Sequence, residues 1–461
     1  MRIDSITLKN FRCFDKLSID FDEKLTVIVA VNGAGKTTIL DAVRIALWPY
    51  ASSFDLANNG FNDPANTITI DDITKATIDE HTEARLLPTH ITACGNILGI
   101  DKWKRLREKE SPRSKVSEDQ KVKEIRQYAR NIQECIRTDE SSSITLPVLG
   151  YYGTGRLWSN KKEKKKSPTQ TEIYNSLIRT YGYMDCLDPA SSYRAFEKWF
   201  IKTLNGHTAE IGKIIKKEGK LSLDYKTKFS DRIVVIQNAL DTVLANTDYR
   251  EIDLDIESQK LSMHNHKLGI DLKVEQLSDG VRNMIGMVAD IAYRCYQLNP
   301  HLGERAALEA KGIVMIDEVD MHLHPQWQQL IIGQLMQAFP SIQFILTTHS
   351  PQVITTVPAH CIRGLKLVDG HLVLKKYDFS EGAEAQDVLE EIFEVSSRPR
   401  NLDIVQKLIE YQNLVTEDKW DTERAEVLRK DLNKWGGGKD PILLQLDMDI
   451  RMRQYRRSKS Q

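Results

Sequence analysis

The sequence predicts an α/β fold: an N-terminal lobe of antiparallel strands and a parallel-sheet core, interrupted by a helical insertion and followed by a mostly helical tail. Three observations carry this expectation. The first thirty residues alternate, as in Ile3-x-Ser5-x-Thr7 and Leu17-x-Ile19-x-Phe21, and then run unbroken through Leu25-Thr26-Val27-Ile28-Val29-Ala30. Alternation marks half-buried antiparallel strands, whereas an unbroken apolar run marks a strand covered on both faces. Between about 246 and 378, Ile313-Val314-Met315-Ile316 and Phe344-Ile345-Leu346 flank a helical pattern, the strand–helix–strand order of a parallel sheet.

Composition shifts divide the chain into 1–80, an N-terminal lobe; 81–245, the helical insertion; 246–378, a second lobe; and 379–461, the tail. In the insertion, Ser117-x-x-Gln120 reads as a capping box opening a helix with Val122, Ile125, Ala129, Ile132 and Ile136 on one face. Asn160 to Thr169 (NKKEKKKSPT) reads as an exposed loop, because its lysines repel and Pro168 interrupts a helix. In the tail, Val388 to Phe393 and Leu402 to Leu414 read as amphipathic helices. The run Gly436-Gly437-Gly438 is expected to free an arm containing Ile442-Leu443-Leu444 and a basic end, a docking region for a partner.

A chain of 461 residues, 41% of them hydrophobic, can bury a large core. No apolar window is long enough for a membrane span and Met1-Arg2-Ile3-Asp4 runs straight into a strand pattern, so the expected compartment is the cytoplasm, without membrane contact. Six scattered cysteines lack the spacing of a zinc site or a disulfide framework. The net charge of −1 gives no overall attraction to nucleic acid, so DNA contact falls to local patches. The candidates are Lys102, Lys104, Arg105 and Arg107; Lys161, Lys162, Lys164, Lys165 and Lys166; and Arg451, Arg453, Arg456 and Arg457. Each can equally be a solvated face or loop.

Chemistry concentrates at four places. After the strand ending at Ala30 comes Val31-Asn32-Gly33-Ala34-Gly35-Lys36-Thr37-Thr38 and then a helix, so backbone N–H groups and a positive helix end face a phosphate. Lys36 would reach the β and γ phosphates and Thr37 a Mg²⁺ ion. Ala30 stands where G-x-x-x-x-G-K-[ST] has its first glycine, which could weaken the cradle and slow turnover. The strand at Ile313 ends in Asp317-Glu318, which suits a Mg²⁺ ligand followed by a base for the attacking water. Gln276-Leu277-Ser278-Asp279-Gly280-Val281-Arg282 places a hydroxyl and N–H groups at a helix start, where an ordinary N-cap is the alternative. The strand at Phe344 ends in Thr347-Thr348-His349-Ser350-Pro351, offering an imidazole to a γ phosphate or a histidine satisfied in a turn.

Phosphate loop, L-S-x-G, Asp-Glu strand end and His-Ser-Pro occur in the order used by ATP-binding-cassette ATPases of the structural-maintenance, RecF and OLD type, which the chain resembles. The resemblance covers roughly residues 1–60 and 246–378. It implies a head-to-tail homodimer, or a higher homo-oligomer, closed around two Mg-ATP. Lys36 and Thr37 of one subunit would face Ser278, Asp279 and Gly280 of the other. It assigns ATP contacts to Arg12, Asn32, Gly33, Ala34, Gly35, Lys36, Thr37 and Thr38, Mg²⁺ to Thr37 and Asp317, catalysis to Glu318 and His349, and the interface loop to Asp320. A Q-loop glutamine cannot be placed; Tyr151 to Trp158 (YYGTGRLW) could occupy that junction or be an aromatic packing corner.

More narrowly, Y-Y-G-T-G-R-L-W, L-S-D-G and D-E-V-D-M-H-L-H-P-Q-W-Q resemble the stand-alone bacterial ATPases of the Septu anti-phage systems, the PtuA group, which also accompany some retrons. That resemblance implies an ATPase acting as a nucleotide-gated sensor and scaffold, with cutting done by an HNH nuclease partner of the PtuB kind. His322 and His324 (H-x-H) could bind metal or serve the interface. The competing readings are a RecF-like DNA repair ATPase and an OLD-type nuclease, for which Asp447-x-Asp449 superficially supplies paired carboxylates.

Overall fold

The computed structural model describes residues 1–60, 64–79, 81–97, 99–111, 116–138, 144–155, 178–189, 193–219 and 225–459. The expected α/β architecture is present. Strands β1 (Arg2–Phe11), β2 (Phe14–Asp20), β3 (Leu25–Val29), β4 (Lys75–Asp79), β5 (Thr82–Arg85), β6 (Thr89–Ile97), β7 (Ile100–Arg107) and β8 (Ser117–Glu118) form the first third of the chain with helix α1 (Lys36–Ala51). An antiparallel sheet in the order β2-β1-β6-β7-β8 turns Ile3, Ile6, Leu8, Ile91, Ala93 and Trp103 inward. It locks onto α1 through Trp103 Nε1, which donates to the Ala46 carbonyl at 2.9 Å, and Arg105, which donates to the Ile45 and Asn66 carbonyls at 2.9 Å.

The expectation of a helical insertion starting at 81 is therefore corrected, since Thr82–Arg85, Thr89–Ile97 and Ile100–Arg107 are strands. Thr89–Ile97 does alternate buried and part-exposed positions, but its inward residues include Thr89, Ala93 and Gly95, which are weakly hydrophobic and mask the period. The helices begin with α2 (Gln120–Ile136), capped by Asp119, whose carboxylate accepts from the Val122 N–H at 2.8 Å; Ser117 lies in β8, so the capping box expected there does not form. Val122, Ile125 and Ala129 are buried as expected, but Gln133 takes the next inward position and accepts from the Asp55 N–H at 2.8 Å. Helices α3 (Tyr193–Glu218) and α4 (Ser230–Val243) follow.

The core is a six-stranded sheet in the order β16-β15-β3-β14-β13-β9. Its members are β9 (Val148–Tyr152), β13 (Gly312–Ile316), β14 (Ile342–Thr347), β15 (Ile362–Val368) and β16 (His371–Lys375), with β16 the antiparallel edge. β9, like β5 to β8, is a strand inside the stretch expected to be helical. Strands β10 (Tyr249–Asp255), β11 (Lys260–Asn265) and β12 (Ile270–Lys273) form a small separate sheet, and α5 (Asp279–Leu298) and α6 (Ile331–Ala338) follow.

The chain divides into two compact units, Met1–Val388 and Leu389–Gln461, so the tail boundary lies later than the expected 379. After α7 (Ala385–Glu391), the second unit is built of α8 (Asp403–Thr416), α9 (Glu423–Gly436) and α10 (Pro441–Lys459). They bury Leu408, Tyr411, Val415, Trp420, Ala425, Leu428, Leu432, Leu443 and Leu446 together. The free arm expected after Trp435 is thus corrected: Gly436 ends α9, and Asp440 caps α10 by accepting from the Ile442 and Leu443 N–H groups at 3.1 and 3.2 Å. Leu443 and Leu446, three residues apart, return to the shared core.

Of the basic runs, Arg105 and Arg107 are buried, which leaves Lys102 and Lys104 of the first. The Lys161–Lys166 run lies outside the described residues, as do residues 156–158 of YYGTGRLW. In the third, Arg453 donates to the Val415 carbonyl and Asp418, and Arg457 lies 4.4 Å over the Trp420 ring. Among the described residues no helix is long and apolar enough to cross a membrane, and the six cysteines are unpaired.

Candidate nucleotide site

β3, buried along its whole length, delivers the chain to the loop Ala30–Gly35 at the end of the sheet where α1 begins. Gly33 and Gly35 adopt φ of 81° and 89°, which glycine alone adopts readily. At Gly35 a Cβ would come within 2.6 Å of Phe14 Cζ and 2.7 Å of Cys13 Sγ. Ala30 is not among the residues with positive φ, so its methyl meets no backbone penalty. Lys36 Nζ curls over the loop, donating to the Ala30 and Val31 carbonyls at 2.9 and 3.2 Å. Burial lowers its pKa, against the raising influence of Asp317, Glu318 and Asp320. Asn32 is exposed, while Ala34 and Thr38 are buried.

Across the loop, Thr37 Oγ1 donates to Asp317 Oδ2 at 2.8 Å, and Thr347 Oγ1 donates to Asp317 Oδ1 at 2.6 Å while accepting from the Glu318 N–H at 2.8 Å. The carboxylate of Asp317, 4% exposed, is thereby oriented from the start of α1 and the end of β14. Glu318 has φ of 48°, a left-handed turn that re-aims its side chain as β13 ends. Thr348 Oγ1 donates to Asp320 Oδ1 at 2.5 Å, and Ser350 Oγ donates to Gln328 Oε1 at 2.7 Å. His349 is half-buried; burial and then Lys36 lower its pKa, against Glu318, Asp320 and Asp317, so its imidazole is neutral at pH 7.

Arg12, at φ of 50° in the β1–β2 turn, donates from Nε to Asp72 at 2.7 Å and from a terminal nitrogen to Asp41 at 2.6 Å. Asp41 lies on α1 one turn beyond Thr37 and also accepts from Tyr151 Oη at 3.3 Å. The neighbouring Tyr152 accepts the Asp317 N–H at its carbonyl, 2.8 Å away, and donates its hydroxyl to Asp290 on α5 at 2.8 Å. Asp290 is paired with Arg294 at 2.8 Å, and Arg294 also donates to the Gly182 and Met184 carbonyls. Both tyrosines are buried and each addresses a carboxylate, more than a packing corner requires.

Ser278 is exposed at the N-terminus of α5 and makes no capping bond with its side chain. Asp279 pairs with Arg282. Gly280 is buried where a Cβ would run into the His322 carbonyl, so α5 and the loop Val319–His324 approach each other through a missing side chain. Lys36, Thr37, Asp317, Glu318, Asp320 and His349 thus converge, with Arg12 joined through Asp41; Ser278 and Asp279 are not among them, and Gly280 packs against the His322 carbonyl instead. His322 serves that loop, and His324 Nδ1 accepts from the Gln326 N–H at 3.3 Å; among the described residues neither joins a metal-ligating cluster. Asp41, Asp72, Thr347 and Asp290 were missed by sequence reasoning, whereas Tyr152 and Gln328 fell inside motifs the sequence singled out, without an individual role. Only Thr347, directly before Thr348-His349, and Asp41, one helical turn after Thr37, carried a usable signal.

A family model described as AAA ATPase domain matches residues 1–354. The chain belongs to that family. Full-length relatives of this AAA ATPase include the Retron Vc95 probable ATPase of Vibrio cholerae serotype O1 biovar El Tor, 28% identical over 93% of this chain and 86% of the relative. The Retron Ec83 probable ATPase of Escherichia coli is 28% identical over 98% and 87%. The Septu protein PtuA of Bacillus mycoides (strain KBAB4) is 44% identical over 79 residues, 17% of this chain and 10% of PtuA. These relatives agree with the resemblance drawn from the motifs.

Proposed function

We propose that this ATPase binds Mg-ATP at the Lys36 site and uses it to close two copies head to tail, as a nucleotide-gated scaffold for a partner HNH nuclease in anti-phage defence. One observation carries the reading. Within a single chain the phosphate loop, Asp317, Glu318 and His349 converge, whereas Ser278 presents an uncommitted, exposed hydroxyl at a helix start elsewhere. Half of a phosphate site therefore looks outward, as a composite site between two copies requires.

The residues fit the nucleotide. Lys36 holds carbonyl oxygens where phosphate oxygens would compete for the same ammonium, and the Gly35 cradle admits no side chain. Thr37 and Asp317, already within hydrogen-bond distance, form a donor set for Mg²⁺, which when bound supplies charge neutralisation on the phosphates. Glu318 takes the proton of the attacking water, and the neutral imidazole of His349 donates to the γ phosphate. Arg12 exchanges its two carboxylates for phosphate oxygens. The nuclease partner and the defence role rest on the likeness to retron ATPases and PtuA.

Calorimetry and sedimentation test this together. Lys36→Ala should lose ATP; Ser278→Arg should bind ATP but show no ATP-dependent rise in mass; Glu318→Gln should hold the ATP-closed pair. Wild-type ATP affinity in Lys36→Ala removes the site assignment. Co-purification from the native host without any nuclease removes the partner.

A further inference from the structure

Helix α10 is apolar on two sides. Leu443 and Leu446 enter the core of the second unit, with Ile442 and Ile450 packed against it. Leu444, Met448, Met452 and Tyr455 are 41, 60, 56 and 60% exposed. With 3.6 residues per turn these four fall within an arc of about 80° opposite the buried face. A helix apolar on both sides is built for burial on both, and methionine suits a surface that must adapt to a partner.

The arrangement of charge indicates the occupant. Asp440 caps α10, and Asp447 and Asp449 lie in its first half; Arg451, Arg453, Arg456, Arg457 and Lys459 lie in the second, which has no carboxylate. A membrane surface or a nucleic-acid backbone would call for cations along the whole stripe. Instead the helix is its own complement when reversed. Met448 and Met452 sit symmetrically about Ile450, and Leu444 and Tyr455 lie six and five residues to either side, so an antiparallel second copy sets methionine against methionine and brings leucine within one residue of tyrosine. Asp447, which also pairs with Arg429 at 2.7 Å within its own chain, and Arg451 flank the stripe on the same edge and come together across the two-fold axis.

We propose that this stripe is a self-complementary docking face on which α10 of a second copy packs antiparallel, a dimer contact that needs no nucleotide. It is independent of the ATP-gated contact proposed above, and a chain with both contacts can engage two different copies. Tail pairing raises the local concentration of the heads, and ATP then links tail-paired dimers into larger assemblies.

Sedimentation of the full chain without nucleotide, over a concentration series, tests the contact. Wild type should dimerise, and Met448→Asp/Met452→Asp should weaken self-association at least tenfold while ATP binding by calorimetry stays unchanged. Arg451→Asp, which sets a carboxylate opposite Asp447, should weaken it as well; this milder variant guards against misfolding of the first. A wild type that stays monomeric overturns the proposal, as do variants that dimerise like wild type. So does loss of nuclease or nucleic-acid binding in the variants with the nucleotide-free mass unaltered, because the stripe then belongs to another partner. Failure of ATP-dependent pairing alone bears on the heads and leaves this contact standing.

Discussion

His349 reads its electrostatic surroundings more directly than any other side chain in the site. Burial and the nearby Lys36 disfavour its charged form, and the three acidic neighbours do not compensate. Its folded pKa therefore lies below the unperturbed value of about 6.5. Between the two values the unfolded chain binds more protons, so the histidine's contribution to stability is complete above about pH 6.5 and is lost as pH falls through the folded pKa. An NMR titration of labelled histidines, assigned with His349→Gln, should place its midpoint below that of an unperturbed imidazole; a midpoint at or above it contradicts a neutral donor. Ala30 teaches the opposite lesson. Its methyl looked like a defect in the phosphate cradle, yet its backbone is one any residue accepts, and the oxygen that holds Lys36 is its own carbonyl. The alanine thus brings no backbone strain to the loop.

Between elements, one joint falls in the Tyr151–Trp158 stretch that the sequence left open between a lobe junction and an aromatic packing corner. Tyr152 at the end of β9 holds the Asp317 N–H with its carbonyl and Asp290 of α5 with its hydroxyl, so the signature helix and the Asp317 strand share one residue. The Asp290–Arg294 pair behind it is buried, and removing one partner strands a charge. Asp290→Ala should cost about 3–5 kcal/mol, read by denaturant unfolding; a change within about 0.5 kcal/mol of wild type would show the pair to be dispensable. The strand and loop motifs were legible because each places special residues at fixed offsets from an apolar run: Gly33, Gly35 and Lys36 after β3, Asp317 after β13, His349 after β14. β6 and β9 were not. β6 alternates with small inward residues, and β9 is five residues long with no chemistry at its end except tyrosine hydroxyls, whose partners Asp41 and Asp290 lie more than a hundred positions away. Pairing at that distance leaves no local pattern.

The tail shows how a correct reading of helices can still give the wrong unit. Leu402–Leu414 was recognised as amphipathic, but its apolar face closes on α9 and α10 of the same chain. Cutting at residue 435 therefore removes Leu443 and Leu446 from a shared core and exposes Leu408, Leu428 and Leu432, whereas cutting at 388 removes the whole unit. The shorter protein should bind ATP with wild-type affinity and resist proteolysis, and the longer one should be digested rapidly beyond Val388. Equal protease resistance of the tail in the 1–435 protein and in the full chain would show that α10 is not part of its core.

The order of strands in the central sheet also sets a timetable for synthesis. β1, β2, β6 and β7 have all emerged once residue 107 is made, so the antiparallel lobe can assemble early. β3 cannot: its neighbours are β14 and β15, and its Leu25 aligns with Phe344. At about 5–20 residues per second the ribosome needs roughly 16–64 s to cover that interval. For that time a strand destined to be buried along its whole length, with the phosphate loop attached, waits without its sheet. A nascent chain of this kind is a natural client for a holding chaperone, because β3 gains both of its neighbours only once residue 368 is made.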